Sequence, residues 1–277
     1  MARIDVVMPV KDGGDLLPSA ILSILYQTER DIRLIIVNDR SGADTLAIMH
    51  RFAQADSRVA VVNAQGAGIV DALNTGLDHA TAPYVARMDG DDIALPTRLA
   101  MQLAVMDARP EVSLCGTAVI RFGSENRYVR PPTSAEQCRH ALRLFNCFYH
   151  PTVMIRRQVL QENNIRYSHS YEYAEDYKLF CDLAKAGEVI NIEEPLLLYR
   201  THSDQVTKTK SGAQNRAALD VIAHQAQIDS QGLQSDIRTI AAMLHAATQL
   251  GRPHARRSLN ALKNAISATR ASQHRPS

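Results

Sequence analysis

The sequence predicts an α/β protein, a sheet with helices on both faces followed by a helical C-terminal extension. Three observations predict it. Over the first 120 residues, short apolar runs rich in Val and Ile alternate with segments whose apolar residues recur at helical spacing, the pattern of successive βαβ units. Runs such as Leu34-Ile-Ile-Val37 are apolar throughout, as in parallel strands buried on both sides. After Gly212 the periodicity becomes purely helical.

Taken in order, residues 4–10 form the first strand, and Leu16, Leu17, Ile21, Ile24 and Leu25 align one face of the first helix. Residues 34–37 give a second strand that ends at the polar turn Asn38-Asp39-Arg40-Ser41-Gly42. A helix through Leu46, Met49, Phe52 and Ala53 and a strand over 59–62 follow. A loop bearing Gly66 and Gly68 leads to a helix through Leu73 and Leu77 and a strand over 84–88. Pro96 opens a helix carrying Leu99, Leu103 and Met106, which stops before Pro110. The middle section is less regular: strand over 112–122, helix over 135–145, short strand over 152–155, then a helix over 176–185 ended by Gly187. Residues 188–192 and 196–199 read as two strands broken at Pro195. Beyond Gly212, two or three helical segments are punctuated near Gly232 and Gly251.

Of the 277 residues, 45% are hydrophobic and 22% charged, which sets aside disordered and fibrous classes. No apolar run approaches the roughly 18 residues that suggest a spanning helix. The first residues lack signal-peptide shape, since Asp5 interrupts them and Pro9 ends the run. Cys115, Cys138, Cys147 and Cys181 are scattered without CxxC pairing, which argues against a zinc ribbon and fits reduced thiols in the cytoplasm. The net charge of +2 conceals an asymmetry: residues 251–277 carry six bases and no acid, so the rest is acidic overall.

In an open α/β sheet, ligands bind beyond the carboxyl ends of the strands. There stand Pro9-Val10-Lys11-Asp12, Asn38-Asp39-Arg40-Ser41 and Met88-Asp89-Gly90-Asp91-Asp92. No GxGxxG follows the first strand and no GxxxxGK[ST] occurs, which disfavours a nicotinamide-type site and a P-loop. Carboxylates crowded on one turn repel and need a cation; hard oxygen ligands suit Mg²⁺ or Mn²⁺ shared with substrate phosphates. Taken alone, such a turn is common, and the plainer reading, a solvated acidic turn capping the next helix, is favoured.

The segment Tyr84-Val-Ala-Arg-Met-Asp-Gly-Asp-Asp-Ile-Ala-Leu-Pro-Thr-Arg-Leu99 resembles the metal-binding segment of family 2 glycosyltransferases with the GT-A fold. Val7-Met-Pro-Val-Lys11, Ile21-Leu-Ser-Ile-Leu-Tyr-Gln-Thr28, Ile35-Ile-Val-Asn-Asp-Arg-Ser41 and Ala72-Leu-Asn-Thr-Gly76 are similar to other motifs of that family. His150-Pro-Thr-Val-Met154, Tyr173-Ala-Glu-Asp-Tyr177 and Leu198-Tyr-Arg-Thr-His202 follow in the family's order. The resemblance covers roughly residues 3–207, and bacterial enzymes that build surface polysaccharides look most similar.

The resemblance implies a GT-A-type Rossmann-like mixed sheet over residues 1–207 and a helical extension over 208–277. Residues 1–110 would bind nucleotide and 111–207 would carry the acceptor and catalytic half. It implies a UDP-sugar donor, Mn²⁺ or Mg²⁺ as cofactor, and a glycan or lipid-linked acceptor. Asp39 would hydrogen-bond the base, with Pro9 and Val10 lining the nucleotide. Asp89 would face the ribose and diphosphate, Asp91 would ligate the metal, and His202 would approach it from the C-terminal side. Asp176 would be the catalytic base, with Glu175 and Lys178 near the acceptor.

Each residue has a plainer reading. Asp39 caps the following helix together with Ser41. Glu175 and Asp176 lie where a helix begins, which favours acids by itself. His202 is a surface histidine, and His150 is a turn residue kept out of the catalytic set. The usual Tyr-Asn after the first strand is Lys11-Asp12 here, and the first acid of the common Asp-Asp-Gly-Ser turn is Asn38. On the acceptor side, Lys178 replaces an acid and Asn163-Asn164 replaces a glycine pair. The alternatives are a sugar-nucleotide-binding protein without catalysis and a nucleotidylyltransferase. Intact Asp89, Asp91 and Asp176 argue against the first, and Lys11-Asp12-Gly13-Gly14 poorly matches the basic glycine-rich loop of the second.

In the basic tail a helix over 253–271 would align Leu259, Leu262 and Ile266, bordered by Arg256, Lys263 and Arg270. Such a stripe suits peripheral contact with an anionic membrane or packing on the body. No aromatic residue lies among these bases, which weighs against nucleic acid as a partner.

Overall fold

The computed structural model describes residues 2–201 and 211–228. The expected alternation appears as β1 (Ile4–Val10), α1 (Leu17–Leu25), β2 (Ile32–Asn38), α2 (Ala43–Ala55), β3 (Val59–Asn63), α3 (Ile69–His79) and β4 (Tyr84–Arg87). Then come β5 (Ile93–Ala94), α4 (Arg98–Ala108), β6 (Val112–Gly123), β7 (Arg127–Val129) and α5 (Ala135–Leu142). β8 (Met154–Arg156), α6 (Arg157–Glu162), α7 (Glu175–Ala186), β9 (Glu188–Thr201) and α8 (Ser211–Ile228) complete the described chain.

Among the described residues, nine strands join one sheet in the order β3-β2-β1-β4-β8-β6-β9-β5, with β7 beside β6. β3, β2, β1 and β4 run parallel; β8 is antiparallel to β4 and to β6. β6 and β9 are parallel to each other, and β5 is antiparallel to β9. The sheet is mixed, and the change of direction falls beside β4.

Side-chain alternation explains the two covered faces. Ile4, Val6, Met8 and Val10 of β1 pack with Leu17 and Ile21 of α1, Met49 of α2 and Leu99 and Leu103 of α4. On the other face Val7, Ile35, Val37 and Val85 pack with Ala72 of α3. Farther along that face, Leu114, Ile155 and Val189 meet α5, α7 and α8 through Ala141, Leu179, Phe180 and Val221. At Gly76 of α3, a Cβ would lie 2.2 Å from Val7 Cγ1, so this helix approaches β1 more closely than a side chain permits. Asp5, buried within β1, pairs with Arg33 at 2.7 Å and accepts from the Thr81 and Ala82 amides, tying β1 to the turn before β4.

Residues 188–201 form one strand rather than two. Pro195 sits opposite Ala118 where the β6–β9 register slips, so the missing N–H falls at a bulge instead of ending the strand. The helix expected to reach 145 ends at Leu142, and the strand expected from 152 starts at Met154 because His150–Thr152 is a 3₁₀ turn. β5, β7 and α6 are additions to the sequence reading. Among the described residues, no helix is long and apolar enough to cross a membrane. The expected helical segments beyond 228, including the basic stripe over 253–271, lie outside the described residues.

Candidate active site

The carboxyl ends of β1, β2 and β3 lie in register, with Val10 beside Asn38 and Asn38 beside Asn63. The Asp39 amide donates to the Val10 carbonyl at 2.8 Å, so the polar turn after β2 closes over the end of β1. Pro9 and Val10 are buried there. Asp39 is buried and does not cap α2. Both its carboxylate oxygens accept from the Gly68 amide at 3.1 Å, joining the β2 turn to the loop that opens α3.

The departures at Lys11-Asp12 and Asn38 have structural consequences. Asp12 has φ of +50°, its carboxylate accepts from the Gly42 amide at 2.9 Å, and its own amide donates to Ser41 Oγ. Asn38 accepts from the Ser41 amide and donates to the Asn63 side chain. An amide at 38 can hold both partners; a carboxylate could accept only.

The acidic turn follows β4. Asp89, Asp91 and Asp92 each bring an oxygen within 4.8 Å of the others, the one cluster of metal-ligating type found among the described residues. Its shape is fixed by β5 pairing with β9, Ile93 beside Leu198. The Arg200 amide donates to Asp92 Oδ1 at 2.7 Å, and Arg200 Nε donates to the Asp91 carbonyl at 2.8 Å. Burial, then the charges of Asp89 and Asp91, push the Asp92 carboxyl well above the usual range. Asp92 Oδ2 is buried with no hydrogen-bond partner. Crowded hard oxygens with one orphaned and buried fit a divalent cation. His202, the expected further ligand, follows the end of β9 and lies outside the described residues.

Beneath this turn, Arg98 is 0% exposed. It donates to the carbonyls of Arg87 at 2.6 Å and Pro151 at 2.9 Å. Burial, then repulsion from Arg87, draws its pKa down to about 9, so it stays charged at neutral pH. Arg87 is itself buried and pairs with Asp89. Neither arginine was singled out from the sequence, because one sits within an apolar strand and the other at an ordinary helix start.

The second acidic group opens α7. Asp176 accepts from Asn146 Nδ2 at 2.9 Å and from the Tyr177 amide at 2.7 Å. Burial raises the Asp176 carboxyl above its ordinary value, opposed by the Tyr177 amide, Arg87 and Asn146. Burial and the Asp176 charge push Glu175 up to about 7, and Glu175 Oε2 is buried without a hydrogen-bond partner. Tyr173, just ahead, has φ of +72°, a strained conformation for a tyrosine that the surroundings must impose. Lys178 faces Asp182 and the Tyr171 ring. His150 Nε2 lies 2.8 Å from Tyr167 Oη, and burial keeps the imidazole well below its usual pKa, hence neutral. Asn163 and Asn164 line a cavity of about 830 Å³ with Arg166, His169 and Lys185. Asn164 has φ of +50°, a conformation in which glycine is at ease.

The acidic turn offers carboxylates that could hold a cation at the carboxyl edge of the sheet, and α7 opens on a buried carboxylate, Asp176. The glycosyl transferase family 2 model matches residues 5–165. The amylovoran biosynthesis glycosyltransferase AmsE of Erwinia amylovora is 34% identical over 205 residues, 72% of this chain and 76% of its own. In structure, S. aureus TarS 1-349 in complex with UDP aligns with a TM-score of 0.64 at 15% identity, over 80% of this chain and 64% of that one. The mannosyltransferase PcManGT of Pyrobaculum calidifontis, in complex with GDP-Man and Mn²⁺, aligns with a TM-score of 0.56 at 16% identity, over 95% of this chain and 86% of its own. These likenesses place the mixed sheet in the GT-A fold. With the family model over more than half its length and a relative at 34% identity, the chain belongs to glycosyl transferase family 2 and is a glycosyltransferase.

Proposed function

We propose that the chain is a metal-dependent inverting glycosyltransferase that moves a sugar from a nucleoside diphosphate donor, a UDP-sugar in the favoured case, to an acceptor hydroxyl. The acceptor is a glycan or lipid-linked sugar of bacterial polysaccharide synthesis, in line with the named role of AmsE. The observation that carries the reading is the carboxylate triplet at the carboxyl edge of the sheet. TarS solved with UDP and PcManGT solved with GDP-Man and Mn²⁺ support donor and metal class alike. Residues 1–207 form the transferase domain and 208–277 the extension.

Asp91, Asp89 and His202 would hold the ion, which when bound neutralises charge on the departing diphosphate. Asp89 also faces the ribose side, and Asp39 meets the base with Pro9 and Val10. Asp176 accepts the proton of the acceptor hydroxyl, a weak nucleophile at neutral pH, while its oxygen attacks the anomeric carbon. The leaving group departs from the opposite face, so configuration inverts. Glu175 and Lys178 lie on the acceptor side.

A panel of UDP- and GDP-sugars, tested for binding and hydrolysis with and without Mn²⁺, decides the donor; a wild-type protein that binds none in Mn²⁺ would sink the reading. Asp39→Ala should weaken UDP by roughly 10–100-fold, the worth of a charged hydrogen bond, whether or not Mn²⁺ is present. Calorimetry showing a loss only with metal would remove Asp39 from the base pocket. For the basic stripe over 253–271, docking on anionic membrane is the proposal. Full-length protein should float with anionic liposomes at low salt and a chain ending at 251 should not; equal flotation refutes it.

A further inference from the structure

The stretch between α6 and α7 is laid along one face of α3. Asp71, Asn74 and Asp78, spaced three and four apart, form that face. Arg166 donates to Asp78 at 2.7 Å, and Asn74 exchanges two hydrogen bonds with the Tyr167 backbone, at 3.0 and 3.2 Å. In the first turn of α3, Asp71 Oδ1 lies 2.7 Å from His169 Nε2; a carboxylate only accepts, so this nitrogen carries the proton. The other oxygen of the same carboxylate, Oδ2, accepts from the Ala67 amide at 2.8 Å. A Cβ at Gly66 would lie 1.9 Å from that oxygen, so the carboxylate fills the room a side chain at 66 would need. The next residue along, Gly68, gives its amide to both oxygens of Asp39. One side chain is therefore shared by the segment that leads to Asp176 and the loop that seats Asp39.

We propose that Asp71 is a positioning residue for donor recognition: its two oxygens join the 66–68 loop to the 166–169 segment, so Asp39 meets the nucleotide base at full strength only while that segment is docked on α3. This rests on the reading of Asp39 as the contact to the base. The plainer role, an acid in the first turn that caps α3, accounts for Oδ2 on the Ala67 amide but not for Oδ1 on His169. The segment does not depend on Asp71 to stay on the helix, since Asn74 and Asp78 hold it farther along. The loop is also attached a second time, by the Gln65 amide on Thr75 Oγ1 at 3.0 Å. What Asp71 adds is the placement of residues 67 and 68, next to Asp39. A change at His169 thus reaches the base pocket through Asp71, Ala67 and Gly68.

The test is calorimetry of UDP in Mn²⁺ on wild type, Asp71→Ala, His169→Ala, His169→Gln, Asp39→Ala and the double variant of Asp39→Ala with Asp71→Ala. Asp71→Ala should weaken UDP by about 10-fold, the worth of a charged hydrogen bond. His169→Ala leaves the cap of α3 whole and should still weaken UDP by roughly 3-fold; His169→Gln, which restores an N–H donor, should recover most of that loss. In the Asp39→Ala background, Asp71→Ala should cost less than about 2-fold, because its effect passes through Asp39. Wild-type UDP affinity in His169→Ala, or full additivity in the double variant, overturns the proposal and leaves Asp71 a helix cap. If Asp71→Ala does not fold, the two His169 variants carry the test alone. A second readout, ¹⁵N NMR of the metal-free protein, follows the Gly68 amide, which should shift in Asp71→Ala and His169→Ala alike. Wild-type UDP affinity in Asp39→Ala would sink the base reading instead, and the Gly68 amide would still decide whether His169 and Asp71 set the loop. An amide unmoved in His169→Ala overturns the proposal whatever Asp39 does.

Discussion

Asp176→Asn is expected to lose about 10²–10⁴-fold in transfer rate, the contribution of a positioned general base, while nucleotide affinity is unchanged. The amide keeps the shape, and its one carbonyl oxygen can still accept from the Tyr177 amide while an NH2 replaces the oxygen that faces Asn146; it cannot take a proton at neutral pH. Stability separates this from simple damage. Burial raises the Asp176 pKa in the folded protein above its unfolded value. The stabilisation linked to that proton is therefore complete below the unfolded pKa and is lost as pH rises through the folded one. As pH rises wild type takes on a buried charge that the Asn variant never carries, so the melting point of wild type should fall relative to the variant's. Its relative advantage should shrink as the solution is acidified. Near-wild-type turnover would reduce Asp176 to a helix-start residue.

How much of this was legible in the sequence follows from where the signal is local. β1, β2, β4 and α1 to α4 could be read because each element carries its own periodicity, and burial on both sides of a parallel strand leaves an apolar run. The acidic turn was visible as a cluster, and the family likeness supplied roles that residue chemistry alone left open. Features set by partners distant in the chain were not legible. β5 is two residues long and exists because Ile93 and Ala94 meet Leu198 and Leu197. The passage of β9 through Pro195 depends on a register slip against β6, and a lone proline gives no sign of its partner strand. Asn146 gives no hint that it will hold Asp176. Nothing local marks Arg98 as buried, yet it is wholly buried, with carbonyls from two other segments around it. Asp39 was read as a possible cap of α2, and its carboxylate turns to Gly68 instead.

Asp91→Ala is expected to abolish the gain in UDP affinity that Mn²⁺ confers. Altering groups that merely support metal ligands already costs roughly 10–100-fold in metal affinity, and loss of a ligand should cost at least as much. With a chelator present, wild type and variant should bind UDP equally weakly, since the charge that pairs with the diphosphate is missing from both. Thermal shift gives a second view. A cation that binds only the folded protein raises Tm in proportion to ln(1 + [L]/Kd), so Mn²⁺ with UDP should raise the melting point of wild type and leave the variant unmoved. Asp92→Ala should behave differently: its carboxylate accepts the Arg200 amide that fixes β9 against the turn, so removing it should destabilise the protein with or without metal. If Asp91→Ala bound UDP in Mn²⁺ as tightly as wild type, the cation would have to be held elsewhere, and the acidic turn would be only the link between β4 and β5.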